Sequence, residues 1–312
     1  MKFVVLILCL TCFKSLAQSS SWPTILNGKN SAKVTLVESA EGLETYQGTF
    51  FRFISDSKLN INDVRRFSST AESVYYALKR IPLDLIHLPK YDTERQTHDI
   101  FIYEDINAYD EAVGVKFSAG YYSLSRRAVF LRKDAFINAK KPNNKLLIHE
   151  LTHLNMHGII RYSNAWFSEG NAEYLASAFF SNNSYNFKVI TSNIRKRANE
   201  FISSNSQVIT LPHLEDILFY NSEEWIKYNN SLAPENRYHP YLAALLTVHY
   251  YYHLAPQGRA KIAQYISNIT SKDHNTRKSA QKQLLQNVDY KKIEANISTF
   301  WKKKGLAISF QK

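Results

Sequence analysis

The sequence predicts an α+β fold in two lobes, and three observations carry the prediction. Short runs of strand composition fall in the first half of the chain, interleaved with helical patterns. A helical stretch from about Asn143 to His157 carries a dense set of ionisable side chains. Beyond Tyr174 the apolar spacing is helical almost throughout. These divide the chain into a mixed sheet-and-helix lobe over residues 18–160 and a mainly helical lobe over 161–312, with a cleft between them.

Residues 1–17 read as a signal peptide. Lys2 supplies the charge, Phe3 to Phe13 the apolar core, and Ser15-Leu16-Ala17 a small-residue cleavage site before Gln18. The apolar run is too short to span a bilayer, and no later stretch is long enough. Acylation at Cys9 or Cys12 is disfavoured, because neither follows the usual small residue and both lie inside the apolar run. Those are the chain's 2 cysteines, so a chain cleaved after Ala17 has no disulfide, thiol nucleophile or thiolate metal ligand.

The next elements follow from local pattern. Ser19 to Ala40 reads as an extended leader with a short strand at Lys33 to Val37, and residues 44–54 have strand composition with rough alternation. Asn62 to Arg80 is an amphipathic helix, with Val64, Phe67, Ala71, Val74 and Leu78 at helical spacing and Pro82 beyond its end. His98 to Tyr103 is a short strand and Asn107 to Val113 a brief helix. Ser118 to Tyr122 and Ala128 to Leu131, joined by a polar turn, form a hairpin.

The centre of the chain is His149-Glu150-Leu151-Thr152-His153. On a helix, residues four apart share a face, so His149 and His153 offer two imidazoles to one metal ion. Glu150 sits about 100° round the helix, where it reaches a metal-bound water rather than the metal. Leu147, Leu151 and Leu154 occupy the opposite face, and Gly158 is placed to cap the end. His157 continues the histidine face but lies two turns from His149, which makes it a helix-end residue favoured by the dipole.

A second stretch follows: Trp166-Phe167-Ser168-Glu169-Gly170-Asn171-Ala172-Glu173-Tyr174. A catalytic zinc site with two histidines needs a third protein ligand, and Glu169 comes one turn and one return after His153. Glu173 lies four residues on, placed to accept the other ring N–H of a ligand histidine. Ser168 is a candidate N-cap, and Gly170 would let this helix approach the first.

Together, H-E-L-T-H and W-F-S-E-G-N-A-E-Y resemble the gluzincin group, the thermolysin-like, peptidase-MA-like zinc metallopeptidases. The resemblance covers about thirty residues firmly. It implies one Zn²⁺ per chain held by His149, His153 and Glu169, with Glu150 as general base and Glu173 behind a ligand. It also implies an oxyanion donor from the helical lobe, for which Tyr241 is the first candidate and Tyr238 the second. A sheet edge just before the zinc helix would pair with substrate backbone. The spacing between the motifs is shorter than in thermolysin, and calcium-site signatures are missing. A metzincin pattern fails, since it needs Gly at Met156 and His at Ile159.

The formal charge is +12, or +10 without Lys2 and Lys14, and the basic residues are spread, with clusters such as Lys140-Lys141 and Lys302-Lys303-Lys304. That pattern is a solvated surface, and no motif for nucleic acid accompanies it. The expected partner is a peptide or protein substrate of an exported, periplasmic or secreted hydrolase. The rival reading is an inactive metallopeptidase-like protein that binds peptide or glycan at the cell surface or in the periplasm. Neither substrate identity nor oligomeric state follows from the sequence.

Overall fold

The computed structural model describes residues 21–28, 33–40, 42–83, 85–86, 98–114, 118–137, 143–200 and 208–311. The expected signal peptide, both cysteines and the Lys140-Lys141 pair lie outside these residues.

The chain begins with β1 (Ile25–Asn27), β2 (Thr35–Ala40), β3 (Leu43–Gln47) and β4 (Phe51–Ser55). The strand expected over residues 44–54 is thus two strands. Gly48 turns the chain between them, its amide donating to the Phe51 carbonyl at 2.8 Å. A Cβ at this glycine would stand 2.9 Å from Ser68 Oγ, so a bare backbone lets the turn lie against the next helix. That helix, α1 (Ile61–Arg80), is the amphipathic segment expected, capped by Asn60, whose side chain accepts from the Asn62 amide.

Next come β5 (His98–Tyr103), α2 (Ile106–Val113), β6 (Gly120–Ser123), β7 (Ala128–Arg132) and α3 (Lys133–Phe136). Six strands form one mixed sheet in the order β2-β3-β4-β5-β7-β6. β4, β5 and β7 run parallel, and β6 returns antiparallel to β7 as the terminal strand. Alternation sorts the faces. Phe51, Phe53, Ile100, Ile102, Val129 and Leu131 point into the main core. Phe101, Tyr103, Ala128 and Phe130 point the other way and are covered with Tyr109 of α2. Arg52 and Asp99, cross-strand neighbours, close a two-bond ion pair at 2.8 and 2.9 Å.

The motif helices are α4 (Asn144–Asn155) and α6 (Ala165–Ala178), separated by the single turn α5 (His157–Ile160). Asn143 caps α4, accepting from the Leu146 amide at 3.2 Å. The helix ends at Met156 rather than at Gly158. Asn155 turns its side-chain amide back onto the Leu151 carbonyl at 2.7 Å, and Gly158 is buried inside the following turn. His157 is accordingly interior, 4% exposed, with its Nδ1 against the Tyr122 hydroxyl. It was expected as a helix-end residue favoured by the dipole; it lies just past the end of α4, at the start of α5.

The remaining elements are β8 (Phe179–Ser181), β9 (Ser184–Asn186), α7 (Ile190–Asn199), β10 (Ile209–Leu211), α8 (Leu214–Ile217) and α9 (Ser222–Ser231). They end with α10 (His239–His253), α11 (Gly258–Ile269), α12 (His274–Leu285), α13 (Tyr290–Lys303) and β11 (Ile308–Phe310). Sequence reading misses α9, although Asn221 and Glu224 form its capping box: Asn221 accepts from the Glu224 amide and Glu224 from the Asn221 amide, both at 2.9 Å. It also misses the short strands. β1 joins β9 antiparallel beside β8, and β10 pairs with β11 in parallel. The architecture is therefore mixed α+β, with the large sheet in the N-terminal half and mainly helices in the C-terminal half.

Two helices are buried nearly all round, α6 and α10. Their apolar residues are not confined to a stripe, as befits helices inside a core. They meet at Gly170, where an added Cβ would lie 2.6 Å from both the Ala244 carbonyl oxygen and Val248 Cγ2. The glycine thus brings α6 close to α10, not to α4 as the sequence suggested. Ser168 is not a cap either: α6 begins after Asn164, and Ser168 Oγ donates to the Ala165 carbonyl at 3.0 Å.

Candidate metal centre

α4 and α6 pack side by side, and their motif residues converge. Nε2 of His149 and Nε2 of His153 are 3.1 Å apart. Oε2 of Glu169 lies 3.2 Å from the first and 3.3 Å from the second. The three donors form a nearly equilateral triangle. Tetrahedral coordination with metal–ligand bonds of about 2.0–2.1 Å would separate its ligand atoms by about 3.3 Å. The triangle has the size of one face of such a tetrahedron, so these three residues could hold a metal ion.

Electrostatics supports the same fit. Glu150, Glu169 and Glu173 crowd two imidazoles in a site where His149, Glu150, His153 and Glu173 are all buried. Buried carboxylates need a compensating cation. Burial alone would lower the His149 pKa, but Glu169 and Glu173 at its two nitrogens and the charge of Glu150 raise it well above the ordinary value. Burial would push the Glu169 carboxyl up, yet the charge of His153 and the bonds from both histidines hold it far below the usual carboxylate range.

Glu150 behaves differently from its neighbours. Burial raises its pKa, His149 and His153 pull it back, and Glu169 pushes it up again, leaving a net rise. It makes no ion pair with either histidine comparable to those of Glu169. Its Cγ would lie 3.3 Å from a Cβ placed on Gly120, so the carboxylate-bearing chain passes directly over the start of β6. β6 thus places the sheet's terminal strand next to Glu150, and the hairpin expected from the sequence is where the centre sits. Further along that strand, the Tyr122 ring lies nearly parallel to the His153 ring, 6.0 Å between centroids.

Behind His149 stands Glu173. Nδ1 and Oε1 are 3.1 Å apart, although the ring N–H is not in line with the carboxylate. Burial raises the Glu173 pKa, but His149, Tyr238 and Arg197 outweigh it and leave the carboxyl lowered. The Tyr238 hydroxyl donates to the other oxygen, Oε2, at 2.6 Å.

Tyr238 and Tyr241 were the two candidates for an oxyanion donor, and the structure places them differently. Tyr238 precedes α10 and spends its hydroxyl on Glu173. Tyr241, in the first turn of α10, packs its ring 6.4 Å from that of His149 and edge-on to Trp225 at 5.6 Å. Burial and the charge of Glu169 raise its pKa, so its hydroxyl keeps its proton. Sequence reading missed Trp225 and Arg197, which lie on α9 and α7, far along the chain from both motifs. Compared with known proteins, the chain matches no family model and no curated sequence.

Proposed function

We propose that this protein is an exported zinc-dependent hydrolase that cleaves peptide bonds. The observation that carries the proposal is the triangle of His149, His153 and Glu169 with Glu150 beside it, buried and outside the donor set. Two imidazoles and a carboxylate are the donors zinc prefers in sites that keep a position for substrate or water. Zinc bound by these residues would supply a Lewis acid for a carbonyl and acidify water.

The protein's own groups would then handle the protons. Glu150, its pKa raised, takes the proton of the attacking water and passes it to the leaving nitrogen. Tyr241 holds its proton and offers it to oxygen as charge develops there. The terminal strand β6 offers an edge along which an extended backbone can pair beside Glu150. Among the described residues no helix is long and apolar enough to cross a membrane. Export rests on the sequence of residues 1–17.

The decisive experiment pairs zinc content with digestion of a mixed peptide library, using wild type and Glu150→Gln. A hydrolase of this kind binds about one zinc per chain in both forms and loses roughly 10²-fold or more in turnover in the variant. If neither form cleaves any peptide while both bind zinc, the protein is a binder and the hydrolytic reading is wrong. Unchanged cleavage in the variant would place the activity elsewhere.

A further inference from the structure

The hydroxyl of Tyr238 is engaged by Glu173. We infer that Tyr238, backed by Arg197, is a positioning residue: it clamps Glu173 so that His149 presents Nε2 to the metal. The inference rests on the metal-binding reading of the centre and extends it outward by two residues.

The geometry is a chain of contacts running from α7 to α4. The Arg197 guanidinium sits over the Tyr238 ring, 4.8 Å from its centroid. Its Nη1 also donates to Glu200 Oε2 at 2.8 Å, and Glu200 Oε1 lies 3.5 Å from Lys145 Nζ. Arg197 is therefore held from one side by Glu200 and placed over the ring on the other. Tyr238 donates to Glu173 Oε2 at 2.6 Å, and Glu173 Oε1 faces His149 Nδ1 at 3.1 Å. Each oxygen of Glu173 thus has its own task.

A carboxylate with one oxygen free can rotate about its last bond and carry its hydrogen-bonding direction with it. Fixing Oε2 from Tyr238 removes that freedom, so Oε1 stays beside the imidazole. A proton on Nδ1, the nitrogen 3.1 Å from Oε1, would leave the Nε2 lone pair for the metal, because a neutral imidazole carries one N–H and one lone pair. Outer partners of this kind orient the ring and raise ligand basicity. The guanidinium over the Tyr238 ring holds that ring in place, and with it the hydroxyl that reaches Glu173. The ring also stacks on Tyr241, 6.2 Å between centroids and 11° between planes, so the clamp and the proposed oxyanion donor share one aromatic wall.

The test changes one group at a time. Tyr238→Phe keeps the ring for Arg197 and Tyr241 and deletes only the donor; Arg197→Met removes the cation. Metal-free wild type and both variants are titrated with zinc against a competing chelator, and each is loaded with cobalt for its visible spectrum. Metal-free melting temperatures establish that all three are folded. Tyr238→Phe is expected to bind zinc about tenfold more weakly, at the lower end of the range for such partners, with a shifted cobalt spectrum. Arg197→Met should show a smaller loss in the same direction. Equal affinity and an identical cobalt spectrum in Tyr238→Phe would overturn the inference while leaving the metal centre intact. A wild type that takes up no zinc or cobalt would overturn both.

Discussion

His149 and His153 present their Nε2 atoms to each other across 3.1 Å, and one oxygen of Glu169 completes the triangle. The equality of the three edges separates the roles of the two α6 carboxylates. Glu169→Ala removes a donor and should abolish stoichiometric zinc. Glu173→Ala removes only the group behind His149 and should weaken binding about 10–100-fold. Zinc analysis after gel filtration, followed by chelator competition, reads both. Equal zinc content in wild type and Glu169→Ala would refute the ligand assignment.

Gly170 holds α6 against α10. In Gly170→Ala the new methyl meets the Ala244 carbonyl and Val248, so the helices must separate. Alanine gains up to about 1 kcal/mol in helix propensity, and overpacking of this kind costs about 1–3 kcal/mol. Backbone contact at 2.6 Å cannot be relieved by a rotamer change, so the cost should dominate. Urea denaturation of the metal-free variant should show a lowered midpoint, with zinc affinity reduced as Glu169 shifts. A midpoint equal to wild type would mean that the interface is looser than described.

Gly120 makes a finer test, because it touches Glu150 and none of the metal donors. A Cβ there would stand 3.3 Å from Glu150 Cγ and 3.2 Å from Leu131 Cδ2, so the carboxylate should move by a few tenths of an ångström. Gly120→Ala should keep wild-type zinc content and lose roughly three- to tenfold in peptide turnover. Loss of zinc, or turnover equal to wild type, would contradict the placement of Glu150 against β6.

Acid stability should depend on His249, buried among His253, Phe300 and Trp301. Burial, helped by the neighbouring His253, lowers its pKa to about 3. Between that value and the ordinary one near 6.5 the unfolded chain binds a proton that the folded one refuses. Stability is therefore full above about pH 6.5 and falls with acid by up to about 1.4 kcal/mol per pH unit from this group. Denaturation midpoints of His249→Phe and wild type, measured from pH 7.5 to 4.5, should show a shallower acid slope in the variant. Parallel curves would show that His249 accepts its proton in the folded state.

Much of the centre was legible because helical periodicity converts a spacing of four into a shared face. His149, His153, Glu169 and Glu173 meet where that rule places them, and the α1 and β5 segments follow from the same kind of local pattern. What local pattern cannot supply is the partner across space. Gly170 was read as serving α4, but the backbone it admits belongs to α10. Tyr238 and Tyr241 look alike in the sequence, and only their distances to Glu173 and His149 tell them apart. His157 was read as the last histidine of α4 because Gly158 looked like the helix end. Met156 breaks the helix first and turns the ring inward.

The pairing of β1 with β9 also sets an order of events during synthesis. Ile25 lies opposite Asn186, and Ile209 opposite Ile308, so two pairings must wait for chain made long after their first strands. Closing such long loops is entropically costly and slow relative to local helix formation. The earliest strand therefore stays without its partner until the second motif helix, which precedes β9, has left the ribosome. The large sheet and α4 alone hold only two of the three donors, since Glu169 arrives with α6. The nascent chain thus cannot bring these three side chains together until α6 has been made.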